Sequence, residues 1–325
     1  MLLSVSLYLR GSNQSVVQLT SKHRRSVQWW RDARDGYLFA APWLIGFFVF
    51  TLGPTIVSIL MSFTQWDGIT PISQIRWVGT ENYQQLLTED PRFAKALANT
   101  AWYVVWAVPF GTLNALCLAL LLNQEVKGQP IFRTLFYLPS VVSGVATSMM
   151  WLWLFNPSFG PINYALSKLG VPVDNLPGWL TDPGWAMTAF IFMSLWGVGN
   201  AMLIYLAGLQ GVPQHLYEAA DLDGVNAWGR FRNVTLPMLT PTLLFNLIMG
   251  IIGSFQTFTQ AFIMTGGGPK DATLFFVLYL YQKAFQQFKM GYASAMAWIL
   301  FVIIMVLTLL LLKSSKKWVY YEGER

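Results

Sequence analysis

The sequence predicts an all-α, polytopic membrane protein with six transmembrane helices and a polar helical loop between the fourth and fifth. Three observations carry that reading. Of 325 residues, 54% are hydrophobic and only 11% charged, whereas soluble domains carry about a quarter charged. Six apolar stretches each reach the length, roughly 20 residues, that crosses about 30 Å of hydrocarbon. With those boundaries all 36 charged side chains, 21 basic and 15 acidic, fall outside the spans.

The elements follow in order. Residues 1–36 read as a cytoplasmic arm. Its apolar start, Met1 to Leu9, has no basic residue before it and no small-residue cleavage site after it, so a cleaved signal peptide is not expected. Trp29 and Trp30, set among basic residues, suggest a segment lying on the inner leaflet. The spans are 37–63, 97–122, 134–155, 184–209, 239–264 and 291–312, and together they make a membrane domain of 37–312 followed by a tail, 313–325. Lys and Arg are retained on the cytoplasmic side. Placing the N-terminus there assigns it 14 of the 21 basic residues and leaves 7 outside, so both termini are expected in the cytoplasm.

The outer segments 64–96, 156–183 and 265–290 are long enough to form short helices. Asn156-Pro157, Gly160-Pro161, Pro177-Gly178 and Asp182-Pro183 read as turns, and Gly266-Gly267-Gly268-Pro269 cannot continue a helix. No internal repeat or linker appears, and a single domain is expected.

Between spans four and five the text turns polar. Glu218 to Pro237 reads as two short helices meeting at a bend. Pro213 suits the first turn of the opening helix, Gly224 permits the turn, and Asn226 is placed to cap the second helix. Pro237 is expected to end that helix or kink it into the next span. Ala219 and Ala220 allow close approach of another surface, while Glu218, Asp221 and Asp223 are expected to favour an N-terminal half through the helix dipole.

Several chemistries are excluded. The dipeptide Gly-Lys is absent, and with it the Gly-Lys-Ser/Thr phosphate loop. His23 and His215 have no Cys or carboxylate cluster at ligand spacing, so no metal site is expected. Cys117 lies in an apolar run with no partner for a disulfide, and packing is its expected role. The net charge of +6 is not gathered on a basic-aromatic module, which argues against nucleic acid and leaves membrane lipid as the neighbour. No Asp, Glu, His, Lys or Arg falls inside a span, so an intramembrane ion relay of those residues is not expected.

The fifth span carries a polar and small stripe. Thr242, Asn246, Gly250, Gly253, Thr257 and Gln260 recur at spacings of 4, 4, 3, 4 and 3, one face of a helix. Close helix packing and the lining of a path for a hydroxylated solute both fit that pattern. Ser254 and Gln256 lie beside the stripe. Asn200 in the fourth span and Asn114 in the second are further uncharged polar groups at membrane depth, with a helix–helix hydrogen bond the expected role of Asn114.

The pattern Glu218-Ala219-Ala220, three residues, Gly224, nine residues, Val234, one residue, Leu236-Pro237 resembles the cytoplasmic loop signature of ABC importer permeases, with Val234 where Ile is usual. Gly211-Val212-Pro213 and Gly266 to Pro269 resemble the carbohydrate-uptake branch, the maltose-type and glycerol-phosphate-type permeases. The similarity extends over roughly 37–313. It implies a prokaryotic inner-membrane permease subunit for a sugar or polyol derivative, working by alternating access without covalent chemistry. It implies that Glu218, Ala219, Ala220, Asp223, Gly224, Leu236 and Pro237 dock an ATPase. It also implies that Asn200, Asn246, Gly250, Gly253, Thr257 and Gln260 line the substrate pathway. The partners it implies are a second homologous permease, two ATP-binding subunits holding ATP and Mg, and an extracytoplasmic solute-binding protein. No cofactor is expected in this chain. The alternative is a facilitator that works without ATPase subunits.

Overall fold

The computed structural model describes residues 29–124 and 127–320; His23 and the start of the N-terminal arm lie outside them. The chain divides into two compact units, residues 1–60 and 61–325. Helix α1 runs without a break from Trp29 to Met61, and Trp29 and Trp30 form its exposed first turn. A π turn at Phe48–Leu52 precedes Gly53-Pro54, since Pro54 has no N–H to continue the regular series. None of its most apolar 18-residue window is buried, as befits a helix apolar on all sides.

The second unit opens with a two-rung antiparallel ladder, β1 (Thr64–Gln65) against β2 (Arg76–Trp77), a small exception to an otherwise helical fold. Helix α2 (Glu81–Thr88) follows. Helix α3 (Pro91–Leu122) starts six residues before the expected span because Asp90 caps it, its carboxylate accepting from the amides of Arg92 and Phe93, with Pro91 in the first turn.

The third and fourth spans are not straight. Helices α4 (Gln129–Val141) and α5 (Gly144–Leu154) meet at 98°. Val142 is extended there, and the Ser143 hydroxyl caps α5 by accepting from Ala146 N. After the outer helix α6 (Pro161–Lys168), α7 (Pro183–Ser194) passes through a 3-10 turn, Leu195–Gly197, into α8 (Gly199–Gln210) with a 45° bend. Among the described residues four helices are therefore long and apolar enough to cross alone, and six spans result only when each bent pair is one.

Helices α9 (Gln214–Leu222) and α10 (Ala227–Arg230) form the polar loop. Helix α11 (Leu236–Phe255) follows, then α12 (Thr259–Met264), α13 (Phe276–Tyr281) and α14 (Met290–Ser315). Helix α3 lies at the centre, touching α7, α8, α11 and α13. Phe93, Tyr103, Phe190, Phe275, Phe276 and Met296 form one buried cluster, and Ala115, Ala119, Met202, Leu209 and Leu239 a second.

Candidate functional site

The polar loop is built as two helices around one left-handed residue. Gly224 has φ +70, and the turn closes by Gly224 N–H donating to Asp221 O at 3.1 Å and Val225 N–H donating to Ala220 O at 3.0 Å. That pair of bonds is a Schellman ending, which glycine supports best. Asn226 then caps α10, its Oδ1 accepting from Gly229 N at 2.8 Å.

Three details differ from expectation. Pro213 precedes the first helical residue, with ψ 130, and holds the cap position. The acids do not sit at a helix N-terminus: Glu218 is mid-helix and Asp221 and Asp223 close α9, whose first turn holds no acid. The macrodipole disfavours them there, and Arg230 answers by pairing with Asp221 at 2.7 Å. Pro237 ends nothing. The helix runs on from Ala227 to Phe255, and a π turn at Phe231–Thr235 absorbs the missing donor ahead of it. Leu236 and Pro237 are half-buried in the first turn of α11.

Glu218, Ala219, Asp223 and Gly224 are exposed, while Ala220 is buried. Two residues that the sequence reading passed over are the most apolar part of this surface. Leu222 is 90% exposed and Trp228 67% exposed. An aliphatic and an aromatic side chain within an acidic, small-residue loop were the available signal.

The pathway stripe divides into two parts. Thr242, Asn246 and Gly250 face neighbouring helices. A Cβ on Gly208 would stand 2.8 Å from Thr242 Oγ1 and one on Gly250 would stand 3.4 Å from Val108, so α11 is pressed against α8 and α3. Asn246 is buried, and its Nδ2 donates to Thr242 O at 3.2 Å. Helical phase is then lost after Phe255, so Thr257 and Gln260 do not continue the face as the spacing implied. Gly253 is exposed, and Thr257 and Gln260 are half-exposed beside the break. Asn200 on α8 is exposed. Asn114 takes the helix–helix bond expected of it, donating to Leu195 O at 2.8 Å where the fourth span bends. It also lines a cavity of about 440 Å³ with Phe132, Phe136 and Trp196, which none of the candidate pathway residues reaches.

At the other end, a charged network ties three elements together. Asp90 Oδ2 accepts from the hydroxyls of Tyr279 and Tyr292, each at 2.6 Å, and lies 3.5 Å from Lys283 Nζ. Burial opposes the Asp90 charge, but the tyrosine hydroxyls, the Phe93 amide and Lys283 outweigh it and hold the carboxyl below its ordinary value. Burial lowers Lys283 more than Asp90 restores it, and burial together with the Asp90 carboxylate raises Tyr279. Arg92 grips Asp271 through two bonds at 2.9 and 2.8 Å, which raises the guanidinium further. Asn99 donates to Asp271 O and Leu274 O, and Thr100 Oγ1 accepts from Phe276 N. The start of α3, the segment 271–283 and the start of α14 thus form one braced block. Its partners lie 189 and 202 residues apart in sequence, beyond any local pattern.

These features define a helical membrane transport subunit: bent spans, polar groups without charge at their depth, and an exposed turned helix pair at one end. The chain belongs to the family of binding-protein-dependent transport system inner membrane components, whose signature matches residues 107–319. It is 43% identical to YesP, a probable ABC transporter permease protein of Bacillus subtilis (strain 168), over 93% of this chain and 96% of that one. It is 35% identical to LacF, a lactose transport system permease protein of Rhizobium radiobacter, over 90% and 97% respectively. Its fold matches a chain of a bacterial ABC transporter involved in the import of the acidic polysaccharide alginate, with TM-score 0.76 and 25% identity over 89% of this chain and 99% of that one. The protein is accordingly an ABC transporter permease, a transport component of the inner membrane and not an enzyme.

Proposed function

We propose that this chain is one of two homologous permeases that sit over two ATP-binding subunits, receive a solute from an extracytoplasmic binding protein, and import a sugar or oligosaccharide by alternating access. The observation that carries this reading is the α9–α10 turn, whose exposed Glu218, Ala219, Leu222 and Trp228 are presented on a rigid Schellman bend. Because helix continues from Ala227 through α11, displacement of the turn is transmitted to the fifth span without an intervening loop. Helix α11 packs on α3 and α8, so that motion reorients the second and fourth spans with it.

The distribution of 14 of 21 basic residues supports a cytoplasmic position for this turn and both termini, with each bent pair counted as one span. ATP and Mg belong to the partner subunits. Gly253, Thr257, Gln260 and Asn200 are accessible and uncharged, which suits a hydroxylated solute, and relatives named for lactose and alginate transport support a carbohydrate. A facilitator working alone leaves the exposed turn without a purpose. Glu218→Lys or Gly224→Asp should preserve membrane insertion and subunit levels while abolishing uptake and its coupling to ATP hydrolysis. Normal uptake with either would remove the docking role.

A further inference from the structure

A second candidate binding site lies between the first outer segment and the start of α14. The turn Trp66–Thr70 is locked. Trp66 Nε1 donates to Thr70 O at 2.8 Å. Asp67 Oδ1 accepts from Ile69 N at 2.9 Å, from Thr70 N at 2.8 Å and from the Thr70 hydroxyl. The Thr70 hydroxyl and amide bonds hold the Asp67 carboxyl down at about 2, so it is ionised at every physiological pH, and its Oδ2 is left for another donor. Beside this turn is a cavity of about 340 Å³ whose walls include Trp66, Asp67, Glu81, Gln85, Phe288 and Lys289. Gln85 gives one amide proton to Glu81 at 3.2 Å, keeping its carbonyl oxygen free to accept.

Volume, shape and charge specify the ligand. A cavity of this size falls in the range of small-molecule sites, about 300–1,000 Å³. Its polar lining is two carboxylates, the side-chain amides of Gln65, Asn82 and Gln85, the hydroxyls of Thr70 and Tyr292, and one ammonium group; Asn82 donates to Ser62 O and Thr64 O, and the two hydroxyls donate to Asp67 and Asp90, so acceptors predominate. An acceptor-rich wall matches a ligand rich in hydroxyl donors. Trp66 and Phe288 supply ring surface for the C–H face of a pyranose or furanose. Two carboxylates against one ammonium leave the lining net negative, which disfavours an acidic sugar.

We propose that this cavity binds one neutral glycosyl unit on the outer face, separately from the residues of α11 and α12. The proposal rests on the reading of the protein as a carbohydrate importer. It gives the outer face a holding place for one end of the solute.

The test uses the whole transporter in lipid nanodiscs without binding protein, probed by saturation-transfer NMR with lactose, maltotriose and trigalacturonate. Lactose and maltotriose should give transfer signals. Their affinity should fall about tenfold in Trp66→Ala and Gln85→Ala, a loss of one to two hydrogen bonds or a ring contact. Trp66→Phe should retain most of it, which separates loss of the ring from misfolding, and Leu169→Ala, at an exposed residue outside the cavity, should leave it unchanged. Absence of signals from both neutral sugars overturns the proposal. So does preference for trigalacturonate, or signals lost with Gln260→Leu and kept in the Trp66 and Gln85 variants. ATP-driven uptake of the same sugars with binding protein, run in parallel, separates the two readings. Uptake without outer-cavity binding refutes this site alone, and binding without uptake refutes the importer assignment alone.

Discussion

Replacing Gly224 isolates the one residue on which the α9–α10 turn depends. Its φ of +70 places it in the left-handed region, where an L side chain costs about 1–2 kcal/mol. A Cβ there meets nothing within 4 Å, so the backbone term is the whole cost. The Asp221–Arg230 pair that also holds the turn is exposed on both sides and contributes less than about 1 kcal/mol. Little local stability is therefore available to absorb the strain. A cost of 1–2 kcal/mol corresponds to a factor of about 5–30, which is the ceiling on lost affinity for the ATP-binding subunits in Gly224→Ala. Gly224→Asn should lose much less, because asparagine tolerates the left-handed region, and Gly224→Val should lose most. The assay is titration of purified ATP-binding subunits onto the permease in nanodiscs. Equal affinity in the Asn, Ala and Val variants would show that the turn's geometry does not control docking.

Asp90→Asn should destabilise the outer block by about 1–3 kcal/mol, since two tyrosine hydroxyls and Lys283 lose a charged acceptor. The Asp90 value is depressed on folding, so its contribution is complete above the unfolded value of about 3.9 and is lost as pH falls through the folded one. The gap in thermal stability between wild type and variant should be constant from pH 7 to 5 and close below pH 4. Gly208→Val should cost about 1–3 kcal/mol by overpacking, because its Cβ would meet Thr242 Oγ1 at 2.8 Å and Leu239 Cδ2 at 3.0 Å; Thr242→Ala should recover part of the loss in thermal unfolding. Gln260→Leu should change the apparent affinity for transported sugar, whereas Asn246→Leu, at a buried position, should alter stability by about 1 kcal/mol and leave uptake kinetics alone. The reverse result would place the pathway along the packed half of the stripe.

The polar interruption at Glu218 to Pro237 was legible because it stands against apolar text, and Gly224 and Asn226 are residues that turns and caps require. Hydropathy placed the span-forming segments but not their direction. The 98° bend after Val141 depends on one extended residue and one serine cap inside an apolar stretch, which a window average does not register. Periodicity likewise assumed an unbroken helix and therefore joined Thr257 and Gln260 to a face that ends at Phe255. The acids of the loop were assigned to a helix start from composition, whereas the position of Gly224 puts Asp221 and Asp223 at a helix end. The Asp90 block was illegible because its members meet only after folding. The family resemblance, carried by the loop motif, reached the correct class despite these local errors.

The account rests on this chain carrying solute only when ATP is hydrolysed on the other side of the α9–α10 turn. Proteoliposomes containing the permease pair, the ATP-binding subunits and the loaded binding protein should accumulate labelled sugar with internal ATP. They should accumulate none with a non-hydrolysable analogue or when Glu218 is replaced by Lys. Equal uptake with and without ATP would contradict the account.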